Sequence, residues 1–246
     1  MGFTHSLVGK DGFRLRGEEM SRIDGFSDVV FGFALTLIVA SLEVPKTYEE
    51  LRIVMLGFLP FAICFGFLMM VWLTHFRFFR RFGLHDLGTI LINAGLLFTV
   101  LFYVYPLKFL FTMIETDALN LQTTEKIFHN VGEYRELTLM YAFGFAAIYA
   151  LLTSLNVHAW RLRRDLHLNA LEELILRSEI VDLAAVSGIG LLVALVAYLL
   201  PPVYAFRCCF LFMLIGPWKT VTGTYFGRKI RQLRERTVIQ PLPETH

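Results

Sequence analysis

The sequence predicts an all-α, polytopic membrane protein with six transmembrane helices and both termini in the cytoplasm, on three observations. The chain is 56% hydrophobic and only 18% charged, with mean hydropathy +0.58, too apolar for an ordinary soluble domain. Its apolar residues gather in runs long enough to cross a bilayer as helices. Most of the 23 Lys and Arg residues lie before the first run, after the second and fourth, and after the last. That bias marks the cytoplasmic side and requires an even number of crossings.

Residues 1–21 form a cytoplasmic N-terminal segment, with Lys10, Arg14 and Arg16 but no apolar core of the length a secretory signal needs. The first span, 22–44, reads RIDGFSDVVFGFALTLIVASLEV and carries Arg22, Asp24, Ser27 and Asp28 at one end. On a helix advancing about 100° per residue, Phe26, Val30, Phe33, Leu37, Ala40 and Val44 form one apolar stripe, with Thr36 on its shoulder. Ser27 and Asp28 lie on the reverse side. A carboxylate at that depth costs several kcal/mol unless partnered, so the Asp28 side is expected to face protein. The apolar stripe faces lipid, neighbouring helices or a narrow pore.

The second span is expected over 51–73, kinked at Pro60, with Trp72 and His75 on one face near its far end. The third covers 87–114, with Asn93 near its start and Pro106 and Lys108 near the other end. A polar, acid-leaning loop, 115–136, precedes the fourth span over 137–156. The basic stretch holding Arg161, Arg163, Arg164 and Arg177 is read as an interfacial or membrane-extending helix, from Leu166, Ala170, Leu171 and Leu174 at helical spacing. The fifth span is 181–200 and the sixth 203–218. The domain plan is therefore a six-helix transmembrane unit, 22–218, followed by a basic cytoplasmic tail, 219–246.

With that topology Arg22, Ser27, Asp28, Trp72, His75 and Asn93 sit at similar depth on the first three spans. A hydrogen-bonded cluster follows: Asp28 can accept from His75, Trp72 or Asn93, and Arg22 can pair with a carboxylate. Its plain role is to hold helices together; an ion-binding or proton-relay role is the other reading. Asp24 and Glu179 on the cytoplasmic side could concentrate cations. Cys64, Cys208 and Cys209 lie in apolar segments and show neither disulfide nor metal spacing.

Enzyme chemistry is not indicated. His75, His85, His158 and His167 are dispersed, without His-Glu-x-x-His or paired-Cys spacing, and no nucleophile elbow or phosphate loop occurs. No cofactor, fixed metal or nucleic-acid partner is expected.

The pattern Arg22-x-x-x-Phe26-Ser27-Asp28, followed by Thr36, Trp72-x-x-His75 and Asn93, resembles the transmembrane protein 175 family, the lysosomal potassium channels of animals and their prokaryotic relatives. A single six-span unit resembles the prokaryotic form, implying a prokaryotic cell membrane. The resemblance implies a homotetramer whose first helices line a potassium pore without a re-entrant selectivity loop, and no TVGYG-like filter occurs in the chain. It also implies a hydrophobic gate on the first helix, where relatives carry Ile or Leu and this chain has Phe33.

Leu37 matches the family's second apolar ring, Ala40 is smaller than the Leu at the third, and Thr36 matches a threonine linked to potassium preference. Phe26 belongs to the signature that holds the helix in place. Four phenyl rings would close a four-fold axis more fully than aliphatic side chains, so either the helix is rotated or spaced differently or the resting pore is shut. From the residues alone, Phe33 is a packing residue. The alternative function is a proton-permeable or proton-coupled transporter in which Asp28 and His75 titrate as a relay.

Overall fold

The computed structural model describes residues 8–9, 12–17, 21–39, 46–56, 58–118 and 131–239. Among these, helices account for nearly all regular structure: α1 Arg22–Val39, α2 Tyr48–Leu56, α3 Phe58–Phe82, α4 Leu87–Ala118, α5 Val131–Arg161, α6 Ala170–Leu199, a 3-10 segment Pro202–Leu214, and α7 Ile215–Ile239. An isolated antiparallel bridge joins Val8 and Arg14. Among the described residues, four stretches are long and apolar enough to cross a membrane: Phe61–Phe82, Leu87–Leu107, Gly132–Arg161 and Ala170–Leu199. α1 packs on α3 and α4, and the 3-10 segment on α5 and α6, so six passages share one body.

Local chemistry sets the helix starts. Ser21 and Asp24 form a reciprocal capping box: the Ser21 amide donates to Asp24 Oδ2 and the Asp24 amide to Ser21 Oγ, each at 3.1 Å. Asn169 and Glu172 do the same for α6. Asp86 caps α4, accepting from the Gly88 and Thr89 amides and the Thr89 hydroxyl.

Several boundaries expected from the sequence shift here. The second passage is helical over 48–56 and 58–82, so it runs on past the expected end at 73, and Gly57 lies outside the described residues. Pro60 lies within the helix at 58–82, three residues past Gly57. Arg80 and Arg81 sit in the last turn of α3 rather than in a loop, where cations complement the helix dipole. The stretch after 161, expected to be an interfacial or membrane-extending helix, divides: residues 162–167 turn, and from Ala170 the chain is a helix that extends the fifth span. α5 continues to Arg161, a turn spans 162–167, and α6 starts at Ala170, so Leu171, Leu174 and Arg177 already belong to the fifth passage. The boundary after Trp218 lies inside α7, which continues to Ile239.

The core is packed through small residues where helices approach closely. A Cβ on Gly190 of α6 would lie 3.1 Å from both Ala146 and Phe145 of α5, and one on Gly144 would lie 2.2 Å from the Tyr103 ring of α4. Buried hydroxyls are paired across the same seams. Ser187 donates to the Ala146 carbonyl at 2.9 Å, Tyr103 to the Tyr141 carbonyl at 2.9 Å, and Tyr141 to the Pro106 carbonyl at 2.7 Å. Pro106 interrupts the α4 ladder, and its neighbourhood is where these bonds gather.

Candidate functional site

α1 has two faces. Ser27, Phe31, Ala34 and Ile38, spaced by four, three and four residues, are buried and pack into the protein body. Turned the other way, Arg22, Phe26, Val29, Gly32, Phe33 and Thr36 are exposed, Phe26 at 63% and Phe33 at 56%. Leu37 is half-buried against the core, at the margin of the outward face. The Thr36 hydroxyl donates to the Gly32 carbonyl at 2.8 Å. Ala40 and Val44 lie outside the described residues.

The buried face is bolted by two separate polar links. In the first, His75 Nε2 meets Asn93 Oδ1 at 2.8 Å, the Asn93 amide donates to Ser27 Oγ at 2.9 Å, and the Ser27 hydroxyl donates to the Ile23 carbonyl at 2.8 Å. Each group has one role, so the chain runs from α3 through α4 into the backbone of α1. His75 is 2% exposed, with the Phe31 ring 5.4 Å and the Phe79 ring 4.7 Å away. In the second link the Trp72 indole donates to Asp28 Oδ1 at 2.7 Å, and that indole stacks on Phe76.

Five of the seven residues expected in the network thus meet, as a group of three and a pair rather than one cluster. Asp28 takes its bond from Trp72; His75 and Asn93 bond elsewhere. Arg22 and Phe26 do not join: both are exposed on the outward face. Nor does the proton relay assemble, because His75 bonds to an amide, which cannot hand a proton on, and makes no direct bond to Asp28. The two acids expected to concentrate cations are also occupied. Glu179 pairs with Arg81, bridging α6 to α3, and Asp24 caps α1. Among the described residues, no group of three or more His, Cys, Asp and Glu could hold a metal.

Two further links on this side escaped the sequence reading. His158 Nε2 lies 2.7 Å from Asp86 Oδ2, tying the end of α5 to the start of α4. Burial works against the charge on Asp86, but hydrogen bonds from Thr89 and His158 outweigh it and hold the carboxyl at about 2. Arg14 and Arg16, from the segment before α1, converge on Glu172 of α6, each with a 2.9 Å contact to Oε2. The Ser-x-x-Asp pattern at 21–24 and the Asn-x-x-Glu pattern at 169–172 are the signals that could have located α1 and α6 starts from sequence.

These features define a polytopic α-helical membrane protein whose first helix is held from behind and presents an apolar face outward from its own subunit. Residues 22–103 match the family model described as endosomal/lysosomal potassium channel TMEM175. A potassium channel of Marivirga tractuosa is 35% identical over 241 residues, covering 90% of this chain and 93% of the relative. A potassium channel of Chamaesiphon minutus is 32% identical over 96 residues, 36% of this chain and 47% of the relative.

Among solved structures, a variant of the potassium channel MtTMEM175, bound to a nanobody–MBP fusion, superposes with a TM-score of 0.78 at 30% identity, covering 90% of this chain and all of that one. A Chamaesiphon minutus homologue described as a lysosomal potassium-selective channel shares the fold, with a TM-score of 0.54 at 22% identity, over 85% of this chain and 96% of that one. The chain belongs to the TMEM175 family, a family of potassium channels and not of enzymes.

Proposed function

We propose that this protein is a potassium-permeable cation channel, assembled as a homotetramer in a prokaryotic cell membrane with both termini cytoplasmic. Four copies of α1 line the pore, Phe33 and Leu37 form a hydrophobic constriction, and Thr36 tunes cation preference. The observation that carries this reading is the division of α1. Its Ser27–Phe31–Ala34–Ile38 face is committed to its own subunit, leaving Phe26, Phe33 and Thr36 for whatever lies beyond it. One helix cannot enclose a pore, so copies must contribute. A ring of phenyl groups expels water and so blocks hydrated ions.

The chain's resemblance to the Marivirga tractuosa potassium channel over nearly its whole length supports potassium as the permeant ion. Potassium flux from liposomes containing the purified protein tests the reading, comparing wild type with Phe33→Ala and Phe33→Asn. Both replacements raise flux if Phe33 is the constriction; unchanged flux moves the constriction elsewhere. Flux absent from all three removes the channel reading.

A further inference from the structure

The segment before α1 is attached to the protein body more elaborately than a leader to a membrane helix requires. Phe13 is fully buried, edge-on to Phe82 at 5.4 Å, with the guanidinium groups of Arg16 and Arg81 over its ring at 5.7 and 5.1 Å. The Arg16 and Gly17 amides donate to the Arg81 and Arg80 carbonyls at the end of α3, at 3.3 and 3.1 Å. The approach is close enough to demand glycine. A Cβ at Gly17 would lie 2.5 Å from the Phe79 carbonyl oxygen, and Gly83, at φ +57°, meets the Arg16 backbone from the other side.

Glu172 completes the attachment. Its side chain is 0% exposed. Oε1 accepts from the Arg14 amide at 2.9 Å and Arg14 Nε at 3.1 Å; Oε2 accepts from Arg14 and Arg16 guanidinium nitrogens at 2.9 Å and from the Asn169 amide at 3.0 Å. A buried carboxylate so fully bonded, in the first turn of a helix, is a fixed point. Gly17 precedes Ser21, the cap of α1, by only four residues, and such a connection spans at most about 14 Å. The cytoplasmic end of α1 is therefore tethered to the α3–α6 junction.

We propose that residues 12–17 are a strap that sets the position of α1, with Glu172 as the positioning residue, and that releasing it alters ion passage. The inference rests on the reading of α1 as the pore helix. Ser27 and Asp28 hold α1 from behind one to two turns in, and alone they would let the helix pivot about that point. The strap removes the pivot by fixing the end.

The test uses the full chain in liposomes. Glu172→Gln preserves the capping box, which accepts either residue at that position, while removing the charge that gathers Arg14 and Arg16; Arg14→Gln/Arg16→Gln attacks the same pairing from the other side. Hydrogen exchange of amides 12–17 reads release of the strap. Emission of Trp72, isolated by replacing the other two of the chain's three tryptophans, Trp160 and Trp218, with Phe, reads the position of α1 through its bond to Asp28. Both variants should speed exchange, shift Trp72 emission and raise potassium flux about fivefold, the lower end of coupling between linked sites.

Exchange as slow as in wild type would deny Glu172 its role. Faster exchange with unmoved Trp72 emission would show that the strap does not position α1, and a shifted emission with unchanged flux would separate that position from ion passage. Absence of flux in wild type and variants alike would instead remove the channel reading, while the emission shift would still report on the strap.

Discussion

Trp72 donates its indole proton to Asp28 at 2.7 Å, and this one bond joins α3 to the outer turns of α1. Trp72→Phe keeps an aromatic ring beside Phe76 and loses the donor together with part of the indole surface. Such contacts between membrane helices contribute about 0.6–2 kcal/mol. Thermal unfolding in detergent should show a loss of that size, whereas Asp28→Asn, whose amide oxygen can still accept, should lose less. Equal melting of wild type and Trp72→Phe would mean the bond contributes nothing.

Asn93 is the more consequential member of the other link, because it serves two partners. Asn93→Leu strands the His75 ring and removes the bond that the Ser27 hydroxyl accepts, leaving that hydroxyl only its own bond to the Ile23 carbonyl, and a buried polar group left without a partner costs about 1–3 kcal/mol. Ser27→Ala combined with Asn93→Leu should be less destabilising than the sum of the two single changes, since the second removes a group already orphaned. Strict additivity in that cycle would contradict the shared bond.

Gly144 faces the Tyr103 ring with no room for a methyl group. Gly144→Ala should lower stability by about 1–3 kcal/mol through overpacking, and Tyr103→Leu in the same chain should recover part of it. Gly188→Ala is the control, because a Cβ there meets nothing within 4 Å. Similar melting of the two alanine variants would show that the α4–α5 seam yields.

Asp86, at the start of α4, gives a pH signature. Its folded value of about 2 lies below the ordinary 3.8, so its ionised form stabilises the fold above 3.8 and that contribution disappears as pH falls from 3.8 toward 2. Melting curves across that window should decline more steeply for wild type than for Asp86→Asn. Parallel declines would place the acid sensitivity on other carboxylates.

Much of this was legible in the sequence because helical periodicity and membrane depth are both local properties. Spacing along α1 separates Ser27 from Phe33, and counting from the span ends brings Trp72, His75 and Asn93 to the level of Asp28. Which donor meets which acceptor was not legible, since Asp28 has several candidates at one depth and packing chooses among them. Arg22 failed as a network member for a related reason: it lies one turn before Phe26, on the outward stripe, so its reach toward a carboxylate counted for less than its direction. The strap was hidden by distance, Arg14 and Glu172 being 158 positions apart. The turn at 162–167, with His167 at φ 47°, was not legible because the spacing came from Leu166, Ala170, Leu171 and Leu174, of which all but Leu166 lie in α6.

The 3-10 segment Pro202–Leu214 changes what residue counting means for the final crossing. A helix of that type rises about 2.0 Å per residue against 1.5 Å for an α-helix, so its 13 residues reach about 26 Å where the ordinary form would reach about 20 Å. Together with the opening turn of α7, a stretch that looks too brief for the hydrocarbon covers its roughly 30 Å. The molecule traverses its shortest-looking segment by winding it more narrowly and so stretching it, and a ruler calibrated on α-helices will undercount this passage.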